Sequence, residues 1–171
     1  MFLNIVLIAV ILFLFFLLSM FWPPDSPWAP WWRTNSKTAK AIFKLAKTKR
    51  GDLVYDLGSG DGTALVTGFK DFGIRGVGIE IDPLRYFISK IRIKLNRAEK
   101  NITIGRKNFF KTEIKNADLV VVYLVPVTLK KLLPKFKKEL KKGTKIVSFV
   151  YEIDLPLKEY DKKNKLRLYI I

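Results

Sequence analysis

The sequence predicts an α/β domain with a doubly wound, mostly parallel sheet, preceded by one transmembrane helix. Three observations carry that expectation. Apolar strand-like runs alternate with amphipathic helical segments from residue 52 to residue 150, the pattern of a parallel sheet covered on both faces. A glycine-rich turn, Gly58-Ser59-Gly60-Asp61-Gly62, joins the first of those runs to the helix after it. An uncharged apolar block opens the chain.

That block, Phe2 to Trp22, contains two polar residues, Asn4 and Ser19, and no charge. A helix of this length rises about 30 Å, the thickness of a hydrocarbon core. It lacks the basic n-region and the small-residue cleavage site of a secretory signal. The four tryptophans, Trp22, Trp28, Trp31 and Trp32, crowd the segment that follows, together with four prolines. Indoles favour the headgroup zone and prolines stiffen an extended chain. The expected organisation is a transmembrane helix over 1–22, a Pro/Trp-rich interfacial linker over 23–35 and one globular domain over 36–171. Nothing basic precedes the span, whereas Arg33, Lys37, Lys40 and Lys44 follow it. The positive-inside tendency then places the domain on the cytoplasmic side of a cell membrane, crossed once.

The domain's elements follow in order. Residues 36–49 form an amphipathic helix, with Ala39, Ile42, Phe43 and Ala46 on one face and Ser36 or Thr34 as cap. Residues 52–57 are a buried strand, and a helix runs from Thr63 to about Asp71. Residues 75–80 form a second strand. A basic helix begins at Pro83, a residue suited to a first turn. Residues 101–105 and 118–124 are the third and fourth strands. The helix over 127–142 turns Leu129, Leu132, Leu133, Phe136 and Leu140 inward. Residues 144–150 and 165–171 complete the strands. The region after Val150 is short, so the sheet is expected to be reduced at its C-terminal end.

The chain of 171 residues has no cysteine, histidine or glutamine. Disulfides, thiolate or imidazole metal sites and a cysteine nucleophile are excluded, and no metal site is expected. The formal net charge of +17 suits an anionic partner, either acidic lipid or nucleic acid.

The chemistry concentrates at Tyr55-Asp56-Leu57-Gly58-Ser59-Gly60-Asp61-Gly62. Its G-x-G-x-G spacing differs from the dinucleotide fingerprint, and no G-K-[ST] follows to make a P-loop. Asp61 stands at a helix start, where a carboxylate repels a pyrophosphate and attracts a cationic ligand group. Asp56 can orient a cation. Glu80 ends the second strand, where a carboxylate can accept hydrogen bonds from ribose hydroxyls.

These residues resemble the class I, seven-strand S-adenosylmethionine-dependent methyltransferases, whose domain is Rossmann-like. VYDLGSGDG is similar to their first motif and GVGIEIDP to the acidic motif after it. The resemblance implies S-adenosyl-L-methionine as cofactor. Asp56, Gly58, Ser59, Gly60, Asp61 and Gly62 would cradle its methionine part, Glu80 its ribose and Ile81 its adenine. Asn108, followed by Phe109, stands where the family often has an Asp contacting the adenine amine.

The fourth strand ends in Tyr123-Leu124-Val125-Pro126, without the N-P-P-aromatic signature of enzymes that methylate base amines, so nucleic acid is not the favoured acceptor. With the apolar N-terminus and Ala29-Pro30-Trp31-Trp32-Arg33-Thr34, the pattern resembles the lysine methyltransferases of the adenine nucleotide translocase and the ATP-synthase c-subunit. The acceptor site implied is Thr34, Tyr123, Val125 and Pro126, with Tyr123, Trp31 and Trp32 as candidates for an aromatic wall. The expected function is a membrane-anchored protein-lysine N-methyltransferase. A lipid or quinone headgroup, RNA, or a non-catalytic cofactor-binding scaffold are the alternatives.

Overall fold

The computed structural model describes residues 2–21 and 34–171, and within the first helix the side chains of residues 4–15. The expected linker over 23–35, with Trp28, Trp31, Trp32 and Arg33, lies outside the described residues except at its last two positions, and so does Trp22 before it. Helix α1 (Phe2–Phe21) exposes every described side chain from Asn4 to Phe15. Among the described residues no helix is long and apolar enough to cross a membrane. The expected span over 2–22 is helical through residue 21.

The domain opens with α2 (Ser36–Leu45). Its cap is Asn35, whose Oδ1 accepts the Thr38 N–H at 2.8 Å, in place of the expected Ser36 or Thr34. Lys47 takes a left-handed φ of 49°, so the helix stops short of residue 49. Then come β1 (Leu53–Leu57), α3 (Thr63–Phe72), β2 (Arg75–Ile79), α4 (Pro83–Leu95), β3 (Ile102–Gly105), β4 (Leu119–Val122), α5 (Pro126–Glu139), β5 (Lys145–Phe149), β6 (Leu157–Asp161) and β7 (Leu166–Ile170).

They build one seven-stranded sheet of order β3-β2-β1-β4-β5-β7-β6. Strands β1 to β5 are parallel, and β7 is antiparallel to both β5 and β6. The expectation of a reduced C-terminus is corrected here. The unforeseen strand is β6, Leu157-Lys158-Glu159-Tyr160-Asp161, and none of its side chains is buried. An edge strand held by main-chain bonds to one neighbour has no need of an apolar face, and its charges discourage pairing with other chains. Asp161 closes the turn to β7 by accepting the Asn164 N–H at 3.0 Å.

Two apolar cores sandwich the sheet. One packs Ala39, Ile42, Phe43, Leu65, Ile74 and Ile93 of the α2–α4 side against it. The other packs Leu129, Leu132 and Phe136 of α5 with Tyr169 and Ile146. Gly68 lets α3 cross α2 closely, since a Cβ there would meet Phe43 Cζ at 2.5 Å. The order reverses between β1 and β4, so the loops after them diverge and leave a crevice at the strands' C-terminal ends.

Candidate cofactor and acceptor site

The loop after β1 bends because Gly58, Gly60 and Gly62 all take left-handed φ values, 83°, 54° and 75°, which side chains with a Cβ rarely adopt. The crevice it borders encloses about 870 Å³, solvent at its mouth included. Asp56, Gly58, Ser59, Gly60, Asp61, Glu80, Ile81 and Phe109 line it together with Thr34, Tyr123 and Phe149.

Three carboxyl groups meet there under different constraints. Glu80 is buried and braces two loops. Its Oε2 accepts the Gly60 N–H at 2.8 Å and its Oε1 the Asp82 N–H at 2.9 Å. Burial pushes its pKa up against the opposing pull of those amides. Asp61 is already engaged. Arg92 Nη2 donates to its Oδ2 at 3.0 Å, Arg92 Nε to its backbone oxygen at 2.9 Å, and the Thr63 N–H to its Oδ1 at 3.1 Å. Asp61 lines the crevice as expected for a cofactor residue, with its charge already balanced from α4. Asp56 is buried with no hydrogen bond or ion pair to its carboxylate among the described residues. Burial first, then the charges of Glu80 and Asp61, raise its pKa to about 7. A cation brought to this point relieves that cost.

Other expected residues divide. Ile81 and Phe109 present an apolar wall to the crevice. Asn108 is exposed, and its Oδ1 accepts the Phe110 N–H at 2.9 Å. It caps the short 3₁₀ turn over 109–111 and is not brought to the crevice, so its expected adenine contact is corrected. Val125 and Pro126 also miss the lining. Pro126 opens α5 and Val125 stands just before it, so the V-P pair marks a helix start. Tyr123 and Thr34 do reach the lining.

Sequence reasoning overlooked the aromatic company of Tyr123. Phe149 packs against it in a tilted contact, ring centroids 4.4 Å apart and planes at 54°, and Tyr151 lies at 6.5 Å. Phe149 ends β5, and the C-terminal strand ends line the crevice of such sheets, a signal the sequence did contain. Between the two rings Val150 adopts φ 69°, an outlier for a β-branched residue. Its N–H is fixed to the Lys165 oxygen at 2.8 Å.

The model of the ANTKMT methyltransferase domain matches residues 56–156, which run from the Asp56 carboxylate past the aromatic group. The chain belongs to that family. A protein-lysine N-methyltransferase of Saccharolobus islandicus is 36% identical over 135 residues, 78% of this chain and 82% of that one. The adenine nucleotide translocase lysine N-methyltransferase of Mus musculus is 27% identical over 120 residues, 70% of this chain and 52% of its own length. This methyltransferase domain therefore spans about half of that mouse relative. Among solved structures, an RNA methyltransferase of Salinibacter ruber in complex with S-adenosyl-L-homocysteine is 28% identical with a TM-score of 0.79, covering 82% of this chain and 94% of that one.

The protein is an S-adenosylmethionine-dependent methyltransferase, and the residues present fit that cofactor. Ser59 Oγ and Thr63 Oγ1 are buried without a partner, a cost that folded proteins rarely leave uncompensated. They flank the left-handed glycines and the unpaired Asp56. Asp56 would hold the ammonium, the Ser59 and Thr63 hydroxyls the carboxylate end, Glu80 the ribose, and Ile81 and Phe109 the adenine.

Proposed function

We propose that this methyltransferase transfers a methyl group to the side-chain amine of a lysine in a membrane or membrane-adjacent protein, and that residues 2–22 hold it at the cytoplasmic face of a cell membrane. The carrying observation is the aromatic pair Tyr123 and Phe149 in the same crevice lining as Asp56 and Glu80, with Tyr151 behind Tyr123 at 6.5 Å. The lysine N-methyltransferases among the relatives support the acceptor class. The uncharged helix α1, with its exposed apolar side chains, supports the anchor.

S-adenosylmethionine supplies a methyl group activated on a sulfonium. The chain's own residues align the acceptor, exclude water and keep the amine neutral. An amine against Tyr123 and Phe149 is desolvated, which disfavours its charged form. The rings also hold a methylated ammonium by cation–π contact. No strong base is required, and burial raises the Tyr123 pKa above its ordinary 10.0, so its hydroxyl stays protonated at neutral pH. Alignment of amine and methyl group accounts for most of the acceleration.

The test incubates the purified protein with methyl-labelled S-adenosylmethionine and the membrane fraction of its own cells, with Asp56→Ala as control. Label in one protein band, recovered as methyl-lysine and lost with Asp56→Ala, supports the reading. Label in lipid or in RNA refutes it in favour of those acceptors. The Salinibacter ruber structure makes the RNA fraction worth counting separately.

A further inference from the structure

Helix α4 carries an apolar face that the domain does not use. Its buried side is formed by Ser89 and Ile93. On the opposite side Phe87, Ile88, Ile91 and Leu95 are exposed, Phe87 at 60% and Leu95 at 79%. With the half-buried Leu84 they recur at three- and four-residue spacings and cover about 100° of the helix circumference. A surface helix ordinarily turns that stripe toward the core. Adjacent large apolar side chains left on a surface mark a contact site.

Charge selects the occupant. Helix α4 contains no acidic residue. Lys90 and Lys94, both exposed, follow one margin of the stripe, and Arg85 and Arg92 follow the other. A second copy docked through the same face would set like charges against each other. An apolar stripe between two basic margins matches a helix lying in the plane of an anionic bilayer. There its apolar side chains sink to the acyl boundary and its lysine stems reach the phosphates. We propose that α4 is an in-plane docking helix for an anionic lipid surface, a function separate from the anchor in residues 2–22.

The consequence for the site is direct. Helix α4 starts three residues after Glu80, and its Arg92 holds Asp61. Its Ser89 lies against the glycine loop, where a Cβ at Gly62 would meet Ser89 Cβ at 3.2 Å. Docking through α4 sets the crevice rim at headgroup height, within reach of a lysine close to the bilayer surface.

The chain has no cysteine, so single-cysteine labelling reports each face separately. Full-length Leu95→Cys carries an environment-sensitive fluorophore and is reconstituted in bilayers of brominated phosphatidylglycerol or brominated phosphatidylcholine. Leu12→Cys reports α1, and Lys137→Cys on α5, exposed to water, is the control outside the lipid. Unchanged cofactor affinity shows that each labelled protein is folded. Quenching of Leu95→Cys in phosphatidylglycerol but not of Lys137→Cys is expected. Lys90→Gln and Lys94→Gln should each lower the docked fraction ratio by about fivefold. Quenching at Leu95→Cys without quenching at Leu12→Cys keeps the docking helix and removes the anchor. An unquenched Leu95→Cys beside a quenched Leu12→Cys overturns the docking helix and keeps the anchor. Quenching in phosphatidylcholine that ignores both lysine changes overturns the anionic surface. A blue shift that rises with protein concentration in the absence of lipid assigns the stripe to a second copy, and also overturns the proposal.

Discussion

Arg92 grips Asp61 at two points, its Nη2 on the carboxylate at 3.0 Å and its Nε on the backbone oxygen at 2.9 Å. A helix of the domain surface thereby holds the cofactor loop. Arg92→Ala removes the ion-pair partner of a partly buried carboxylate beside Asp56, which keeps the Thr63 N–H, and costs about 1–2 kcal/mol of stability. Cofactor affinity should fall about tenfold, the equivalent of 1.4 kcal/mol, and Arg92→Lys should recover part of it. Calorimetric titration with S-adenosylhomocysteine measures both variants. Wild-type affinity in Arg92→Ala would separate the ion pair from the loop's function.

Asp56 makes the protein sensitive to pH. The group ionises near 3.8 in the unfolded chain and near 7 in the folded one. Between those values the folded state retains a proton that the unfolded state has lost. Its contribution to stability is therefore complete below about 3.8, declines as pH rises and is gone above about 7. The raised Glu80 acts in the same direction. Asp56→Asn should stabilise the ligand-free protein at about pH 8 by roughly 2–4 kcal/mol, seen in denaturant melts. Its cofactor binding should be lost. In the wild type, affinity should rise up to about tenfold per pH unit toward 7 and then level. Affinity independent of pH from about 5 to 8 would contradict an ionised Asp56 as the ammonium's partner.

Glu80 connects two loops through one carboxylate, so Glu80→Gln should act on both. An amide offers a single acceptor oxygen, leaving the Gly60 or the Asp82 N–H buried without a partner. The loss is about 1–3 kcal/mol, a fall in melting temperature of roughly 2–4 °C for each kcal/mol, together with weaker cofactor binding. A variant with unchanged melting temperature would show that the brace is not needed.

Gly78 tests the loop from below. A Cβ there would collide with Ile104 Cδ1 and meet Ser59 Oγ at 2.7 Å and Ser59 Cβ at 2.9 Å. The isoleucine tip can swing away, but the Ser59 Cβ moves only with its loop. Gly78→Ala should destabilise by about 1–3 kcal/mol and weaken cofactor binding about tenfold or more. Equilibrium dialysis decides it, and binding within twofold of wild type would mean that the loop adapts freely.

The acceptor side separates ring from hydroxyl. Tyr123→Phe preserves the packing against Phe149 and should keep kcat/KM within a few fold. Tyr123→Ala removes the wall and should lower kcat/KM about 10–100-fold, the range that loss of acceptor alignment produces, without changing cofactor affinity. A large loss in Tyr123→Phe would give the hydroxyl a direct part in proton transfer.

Local pattern determined much of this protein. The alternation of buried runs with helices, the glycines that tolerate left-handed turns and the placing of Asp56 and Glu80 at strand ends all depend on neighbours a few residues apart. They are legible in the chain, as are the sheet's parallel core and its cofactor class. Tertiary structure decided what depends on distant partners. Asp61 and Arg92 are 31 residues apart, and no spacing rule joins them. Asn108 and the Val125-Pro126 pair were drawn from the crevice by short-range roles, a turn cap and a helix start. Phe149 and Tyr151 met Tyr123 only when β5 paired with β4. Strand β6 has no apolar periodicity because its stability lies in main-chain bonds to β7. The outward stripe of α4 looks in sequence like any core-facing helix, because periodicity tells that a face is apolar and only the packed fold tells which way it points.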